Sequence, residues 1–343
     1  MTDEEIAAAE AASAEFRGRT ENSASTFQFL PVGSLEYRVP EFLIDELIET
    51  ETLGLIFGDP GCGKSFLAID LALCIATGAP FHGNSVKQGA AFYIAGEGHN
   101  GLTRRFAAWS KHRGMDIADA PLFVSNRPAQ FLDADSAAEV MQAVYGLASR
   151  HGRPAVIIID TLARNFGPGD ENQTAEMNQF VAAVDALKAQ FPGCAVLIVH
   201  HSGHADKQRA RGSMALKGAL DCEYRIAKNE KTLKLFNTKM KDAEPPGVLA
   251  FKLASVDLGD GVSSAVLRET ENVPSEKPLT EGQRLGRETF IEAAAHDDCW
   301  RDGEFIGLHR DQWRDVFYAA HTGDNDEAKR KAFQRARSDL VKR

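Results

Sequence analysis

A chain of 343 residues that is 43% hydrophobic and 26% charged has the composition of an ordinary globular protein, with length for one large core and a smaller unit. Its net charge of −10 argues against a surface that coats nucleic acid indiscriminately, without excluding a few basic loops around a channel, and no uninterrupted apolar run of about 18 residues is present to cross a membrane. Five scattered cysteines without metal-ligand spacing argue against a disulfide framework and point to a reducing cytoplasm.

Residues 1–26, which begin MTDEEIAAAEAASAEF, are acidic and Ala-rich and lack the basic and apolar regions of a signal peptide. A mobile tail or weakly held helix is expected there. A domain over residues 27–270 follows, opening with the more apolar FQFLPVG and PEFLIDELI. TLGLIFG then reads as a strand, SFLAIDLALCIATG as a helix, GAAFYIAGE as a strand and GLTRRFAAWSKHRG as an amphipathic helix. PLFVSN is a short strand, and SAAEVMQAVYGLASRHG a helix that Ser136 is placed to cap. PAVIIID and CAVLIVHH are unbroken apolar strands on either side of the helical TAEMNQFVAAVDALKAQF. Such strands separated by helices are the mark of a buried parallel sheet, so the fold class is α/β. CEYRIAK, TLKLFNTKM, VLAFKLASV and SSAVLRE are more polar and read as hairpins extending the sheet at one edge. A polar linker is expected over 271–280, followed by a small, mainly helical module over 281–343 that could be a winged helix.

The string Gly58-Asp59-Pro60-Gly61-Cys62-Gly63-Lys64-Ser65 lies between the first strand and the first helix. It fits G-x-x-x-x-G-K-[ST], a phosphate cradle for a nucleoside triphosphate such as ATP. Gly58, Gly61, Cys62, Gly63 and Phe66 frame the bound nucleotide, Lys64 reaches its outer phosphates, and Ser65 offers a hydroxyl to Mg²⁺. Asp160 ends the buried strand AVIIID, where ligands gather in parallel sheets, and is the candidate to hold Mg²⁺ through water. An ordinary strand-end cap is the bland alternative. Glu97 follows a different strand, and the residue pattern leaves it as either a general base for the attacking water or a helix cap.

GDPGCGKS, YIAGE, IIIDTLARNF, VLIVHHSGH, RARGSMALKG and NTKMK occur in this order. Together they make residues 38–270 resemble the RecA-like hexameric ATPases, specifically the plasmid-replication RepA helicase type related to DnaB-type replicative helicases. The resemblance implies a RecA-like P-loop core with Glu97 as the base and Asp160 as the Mg²⁺ acid. It implies His200 as the sensor of the γ-phosphate, Arg211 as an arginine finger for a neighbouring subunit, and Lys239 as a second trans-acting cation. The family often has Lys-x-Arg at this last place, where this chain has Lys239-Met240-Lys241, and lysine lacks the planar fork of arginine. From residue type alone, His200 and His201 read equally as strand-end polar residues, and Arg209 and Arg211 as a solvated loop.

The resemblance also implies that NFGPGDEN (165–172) and SGHADKQRARGS (202–213) face a central channel. Lys207 and Arg209 are the candidates for contacts to a nucleic-acid backbone, with subunit packing as the alternative use of both loops. The last segment, DEAKRKAFQRARSDLVKR, is basic on its outer faces and reads as a solvated face or a DNA-binding helix. The expected function is an ATP-hydrolysing ring, a hexamer by analogy, moving on single-stranded DNA as a plasmid or prophage replicative helicase with other replication proteins. The alternative is a DNA- or partner-dependent ATPase that does not unwind, such as a helicase loader or recombination mediator. A kinase fits poorly with an acid strand about a hundred residues after the cradle, and neither N-K-x-D nor LSGGQ is present to mark a GTPase or an ABC protein.

Overall fold

The structure, a computed structural model, describes residues 29–35, 37, 39–96, 98–203, 206–271, 281–301, 304–322 and 325–341. The proposed tail over 1–26, Glu97 and nearly all of the proposed linker therefore lie outside the described residues. The chain divides into two compact units at Asn272/Val273.

In the first unit, β1 (Phe42–Ile44) and β2 (Ile48–Glu49) form a small antiparallel pair. The chain then alternates through β3 (Leu53–Gly58), α1 (Lys64–Thr77), β4 (Ala90–Ala95), α2 (His99–Arg113), β5 (Leu122–Val124) and α3 (Ala134–His151). Next come β6 (Pro154–Asp160), the short α4 (Leu162–Asn165), α5 (Thr174–Ala189), β7 (Ala195–His201) and α6 (Met214–Ala219). Two antiparallel hairpins close the unit: β8 (Cys222–Asn229) with β9 (Thr232–Met240), and β10 (Leu249–Gly259) with β11 (Val262–Glu269). All but the first two of these strands make one nine-stranded sheet, in the order β11-β10-β9-β8-β3-β7-β6-β4-β5. Pairing is parallel from β8 to β5 and antiparallel from β8 outward to β11. The fold is a RecA-like P-loop core, and β8 has a double place in it: it opens the hairpin edge and also extends the parallel sheet beside β3.

Why the strands are so uniformly apolar follows from their surroundings. Alternate residues of the central parallel strands β3, β4, β6 and β7 face two separate cores, so both faces are dry. Ile56, Tyr93, Ile158 and Leu197 join α1 and α2 on one side. Leu55, Phe57, Ile157 and Ile159 join α3, α5 and α6 on the other. Each of the buried isoleucines in β6 contributes about 1.5–3 kcal/mol by leaving water. Helix α1 is nearly apolar all round, with every residue from Leu67 to Ala76 buried, as expected of a helix enclosed by the sheet and its neighbours.

One local expectation is corrected. The helix read from Ser136 begins two residues earlier, at Ala134, and its N-cap is Asp133. The Asp133 carboxylate accepts from the Ser136 amide at 2.9 Å, while the Ser136 hydroxyl accepts from the Gln130 amide at 3.1 Å. A carboxylate serves this position better because it also carries charge into the helix field.

The second unit has α7 (Glu281–Ala294), a short hairpin of β12 (Trp300–Arg301) and β13 (Glu304–Phe305), α8 (Arg310–Ala320) and α9 (Asp326–Val341). Helix α8 starts at a reciprocal cap between His309 and Gln312. Its core gathers Ala293, Trp313, Phe317, Phe333 and Ala336, with Trp313 edge-on to Phe333 at 5.0 Å between ring centroids. The Trp313 indole N–H finds Thr289 Oγ1 at 3.1 Å, so its polar end is satisfied where the rings are buried. Among the described residues, no helix is long and apolar enough to cross a membrane.

Candidate active site

The parallel pairing brings the chemistry-bearing residues to one end of the sheet. Register sets Phe57 beside His200 and Gly58 beside His201 across β3 and β7. Asp160 stands level with Val199 on one side and Ala95 on the other. Adjacent strands are about 4.8 Å apart, so the ends of β3, β7, β6 and β4 lie along a ledge of about 15 Å.

The phosphate cradle leaves β3 at Gly58. The Cys62 amide donates back to the Asp59 carbonyl at 3.2 Å, which closes the turn. Gly61 (φ +72°) and Gly63 (φ +100°) take up left-handed backbone where a side chain is strained. A Cβ at Gly63 would also collide with the Leu233 side chain of β9, and one at Gly58 with the Ile226 carbonyl of β8. The hairpin edge thus presses directly on the cradle and excludes side chains from it. Lys64 opens α1 with its ammonium folded into the turn, donating to the carbonyls of Gly58 at 3.0 Å and Asp59 at 2.9 Å. Burial pulls this ammonium below the usual lysine range, against the opposing pull of the Asp160 and Asp59 carboxylates. Ser65 and Phe66 follow in the first turn, half-buried, with the Arg105 guanidinium 4.6 Å over the Phe66 ring.

Asp160 ends β6 and is 8% exposed. One carboxylate oxygen accepts a short hydrogen bond from the Tyr93 hydroxyl of β4. Burial, reinforced by this carboxylate, drives the Tyr93 phenol well above its ordinary range, so it stays a donor. The other oxygen, Oδ1, is buried and has no hydrogen-bond partner among the described residues. A buried carboxylate with one oxygen held and one uncommitted suits a divalent cation or its coordinated water, and with the Ser65 hydroxyl it makes a donor set of the type Mg²⁺ takes. Gly96, just past β4, donates to the Asp160 carbonyl at 2.6 Å; a Cβ there would strike Arg164. Glu97 is the next residue.

His200 is fully buried at the end of β7. Its Nε2–H donates to the Arg211 carbonyl at 2.9 Å, which leaves Nδ1 as an unprotonated nitrogen without a partner among the described residues. Burial, with Arg211, His201 and Lys64 adding repulsion, depresses its pKa to about 3. His200 is therefore neutral across the physiological range, and it ties the strand end to the loop carrying Arg211.

Arg211 does not stand free. Its guanidinium pairs closely with Glu171, a residue of the acidic loop after α4, and the Arg211 amide donates to the His201 carbonyl at 2.9 Å. The two loops after β6 and β7 therefore meet, and a cleft of about 460 Å³ lies between them. Arg209 is exposed at this cleft. Lys207 lies at the cradle, its ammonium 2.8 Å from Asp59 Oδ1. Lys239, on β9, donates to the Lys217 carbonyl at 2.8 Å at the end of α6, and Lys241 lies 3.4 Å from Asp221.

The structure thus gathers Lys64, Ser65, Asp160 and His200 along the ledge, while Arg211, Arg209 and Lys239 belong to the loop and the outer edge. Residue patterns did not single out Tyr93, Asp59 or Glu171. Tyr93 gives no sign of itself, since its partner Asp160 is 67 residues away and only the sheet register joins them. Glu171 did leave a trace as an acid in an otherwise Gly-rich loop.

A glycine-lined cradle between a central parallel strand and a helix, with a buried lysine, a strand-end acid and a neutral histidine on adjacent strands, defines a P-loop ATPase. Residues 23–207, more than half of the chain, match the AAA domain family, and the chain belongs to it. That span takes in the cradle, Asp160 and His200 and ends at Lys207.

Proposed function

We propose that this P-loop ATPase is a ring-forming motor that moves along single-stranded DNA and serves as a plasmid or prophage replicative helicase, with six subunits by analogy and other replication proteins as partners. The observation that carries the reading is the placement of both loops that follow β6 and β7. The second starts two residues past His200, the first follows Asp160 after the single turn of α4, the two meet through Arg211 and Glu171, and the second presents Lys207 and Arg209 to solvent. A change at the phosphate site thereby has a short mechanical route to a loop that carries exposed cations.

In this reading, bound Mg²⁺ supplies positive charge to the phosphates, held by Ser65 and by Asp160 Oδ1 directly or through water. Lys64 exchanges its two carbonyl partners for phosphoryl oxygens. Tyr93 keeps Asp160 oriented, and Glu97 serves as the base for the attacking water. His200, neutral and hydrogen-bonded to the Arg211 carbonyl, transmits the state of its Nδ1 side to the loop. Arg211 reaches a neighbouring subunit's nucleotide once it leaves Glu171, and Lys239 acts in trans beside it. Dependence of the arginine on both a neighbour and a competing acid would link turnover to assembly.

A second reading, a DNA- or partner-dependent ATPase without unwinding, is favoured by the acids that engage Lys207 and Arg211 within the chain. Steady-state ATP hydrolysis with and without single-stranded DNA, with Lys64→Ala as the blank, separates the cases. Stimulation by DNA followed by strand separation on a forked duplex is the result expected of the helicase. Stimulation without strand separation selects the second reading, and indifference to DNA rejects both DNA-linked forms.

A further inference from the structure

We propose that Asp59, the second residue of the cradle string, is a positioning residue that parks the Lys207 ammonium at the phosphate cradle until a competing phosphoryl oxygen takes it. Two contacts converge on this carboxylate, and a third anchors the same loop beside it. Lys207 Nζ lies 2.8 Å from Asp59 Oδ1. The Ser202 hydroxyl donates a short hydrogen bond to the same oxygen. The Ser202 amide donates at 3.0 Å to the Gly58 carbonyl, which also receives Lys64 Nζ at 3.0 Å. The loop that follows β7 is therefore fastened to the cradle at its root through Ser202 and at its tip through Lys207.

The fastening differs at its two ends. Ser202 is 5% exposed and is a fixed joint. The loop beyond it is a small closed hairpin, in which Ser202 bridges Ala210 and the Gly203 amide donates to the Arg209 carbonyl at 2.9 Å. At the tip, by contrast, about half of each side chain is exposed, 53% for Lys207 and 50% for Asp59. An ion pair of that kind is screened by water and holds weakly, typically within about a fivefold change in an equilibrium constant. A phosphoryl group carries the same charge sign as the Asp59 carboxylate and offers more acceptor oxygens, so it competes directly for the ammonium. Asp59 and Lys207 both line a cavity of about 430 Å³ against the cradle, into which Arg225 and Lys228 of β8 also face, so the ammonium has solvent-accessible room to leave. The Arg225 guanidinium is held 4.6 Å over the Phe236 ring, and Glu230 lines the same cavity.

The exchanged phosphoryl oxygen comes either from the terminal phosphate of the nucleotide or from a phosphodiester of single-stranded nucleic acid. The first source makes Lys207 an additional cation for the nucleotide; the second makes Asp59 the gate on strand binding. The nucleic-acid source rests on the function proposed above, whereas the nucleotide source rests only on the phosphate cradle.

The test is a double-mutant cycle of Asp59→Asn and Lys207→Met in the full chain, with wild type and the double variant. Binding of an oligo-dT strand without nucleotide, and of Mg-ATP and Mg-ADP without strand, is measured over a range of salt. Release of Lys207 by Asp59→Asn should strengthen the bound source by about threefold to fivefold and leave the Lys207→Met background unmoved. For the strand, the salt dependence should also steepen by about 0.7 in logarithmic slope, because the freed ammonium neutralises one more phosphate. Coupling confined to oligo-dT assigns the phosphodiester, and coupling confined to ATP over ADP assigns the terminal phosphate. If wild type and variants all fail to bind oligo-dT, the DNA reading falls, and the ATP and ADP arms still decide the latch. Equal strengthening in the presence and absence of Lys207, or no coupling in either arm, would overturn the proposal. Asp59→Glu, which keeps the charge, should restore wild-type coupling, and its failure to do so while folded would count against the pairing as the cause.

Discussion

Acid should unfold the ATPase unit through a single buried histidine. His200 is neutral in the folded state, with its pKa at about 3, whereas in the unfolded chain it titrates near 6.5. The folded value is depressed, so between these limits the unfolded state binds a proton that the folded state refuses, and stability falls as the pH is lowered. The contribution is complete above pH 6.5 and is lost progressively down to about pH 3. From pH 6.5 to pH 5 the interval is about 1.5, which at about 1.4 kcal/mol per tenfold change in proton activity amounts to about 2 kcal/mol. Urea unfolding followed by far-ultraviolet circular dichroism at about pH 7.5 and about pH 5 measures the loss. His200→Gln supplies the control, because its amide can still donate toward the Arg211 carbonyl but has no proton to gain. Wild type should lose about 2 kcal/mol more than the variant over that interval. Equal losses in the two proteins would refute the claim that burial of a neutral His200 governs acid stability.

Three further outcomes can be checked directly. Tyr93→Phe removes the hydroxyl that holds Asp160 and should cost about 1–3 kcal/mol in urea unfolding at neutral pH, since a buried carboxylate then lacks its donor. Gly63→Ala should weaken ATP binding more than about tenfold in calorimetry; adding Leu233→Ala clears the side-chain collision but not the left-handed backbone, so recovery should be partial. Asp133→Ala strips the cap from α3 and should lower stability by about 1 kcal/mol, and Ser136→Ala should cost less, the reverse of the order the residue pattern alone would give.

Much of the fold was legible because burial on both faces leaves a local signature. PAVIIID and CAVLIVHH can be unbroken apolar runs only where helices cover the sheet twice, and both are central strands here. The cradle was legible for a different reason: phosphate binding demands glycine, lysine and a hydroxyl at fixed spacing on a strand-turn-helix. Strand order and register left no comparable mark. Lys207 and Asp59 are 148 residues apart and meet only because β3 and β7 are neighbours. Lys207 read from sequence as an open cation for nucleic acid, and nothing local reveals that an acid in the cradle already holds it. Ser136 misled for a smaller reason. Two good capping residues stood within one turn, and the Asp133 side chain is the one that reaches the Ser136 amide.

The pressure of the hairpin edge on the cradle has a consequence for where this ATPase can be cut. Residues up to 207 include the cradle, Asp160 and His200, so a fragment ending there keeps most of the reaction centre. In that fragment β3 would lose β8 and become an open border of the sheet, its apolar residues and unpaired amides facing water. Leu233 would no longer brace Gly63, and the turn that shapes the phosphates' seat would have no backstop. The smallest fragment with an intact phosphate seat therefore extends through β11, and the last four strands of the sheet are its buttress.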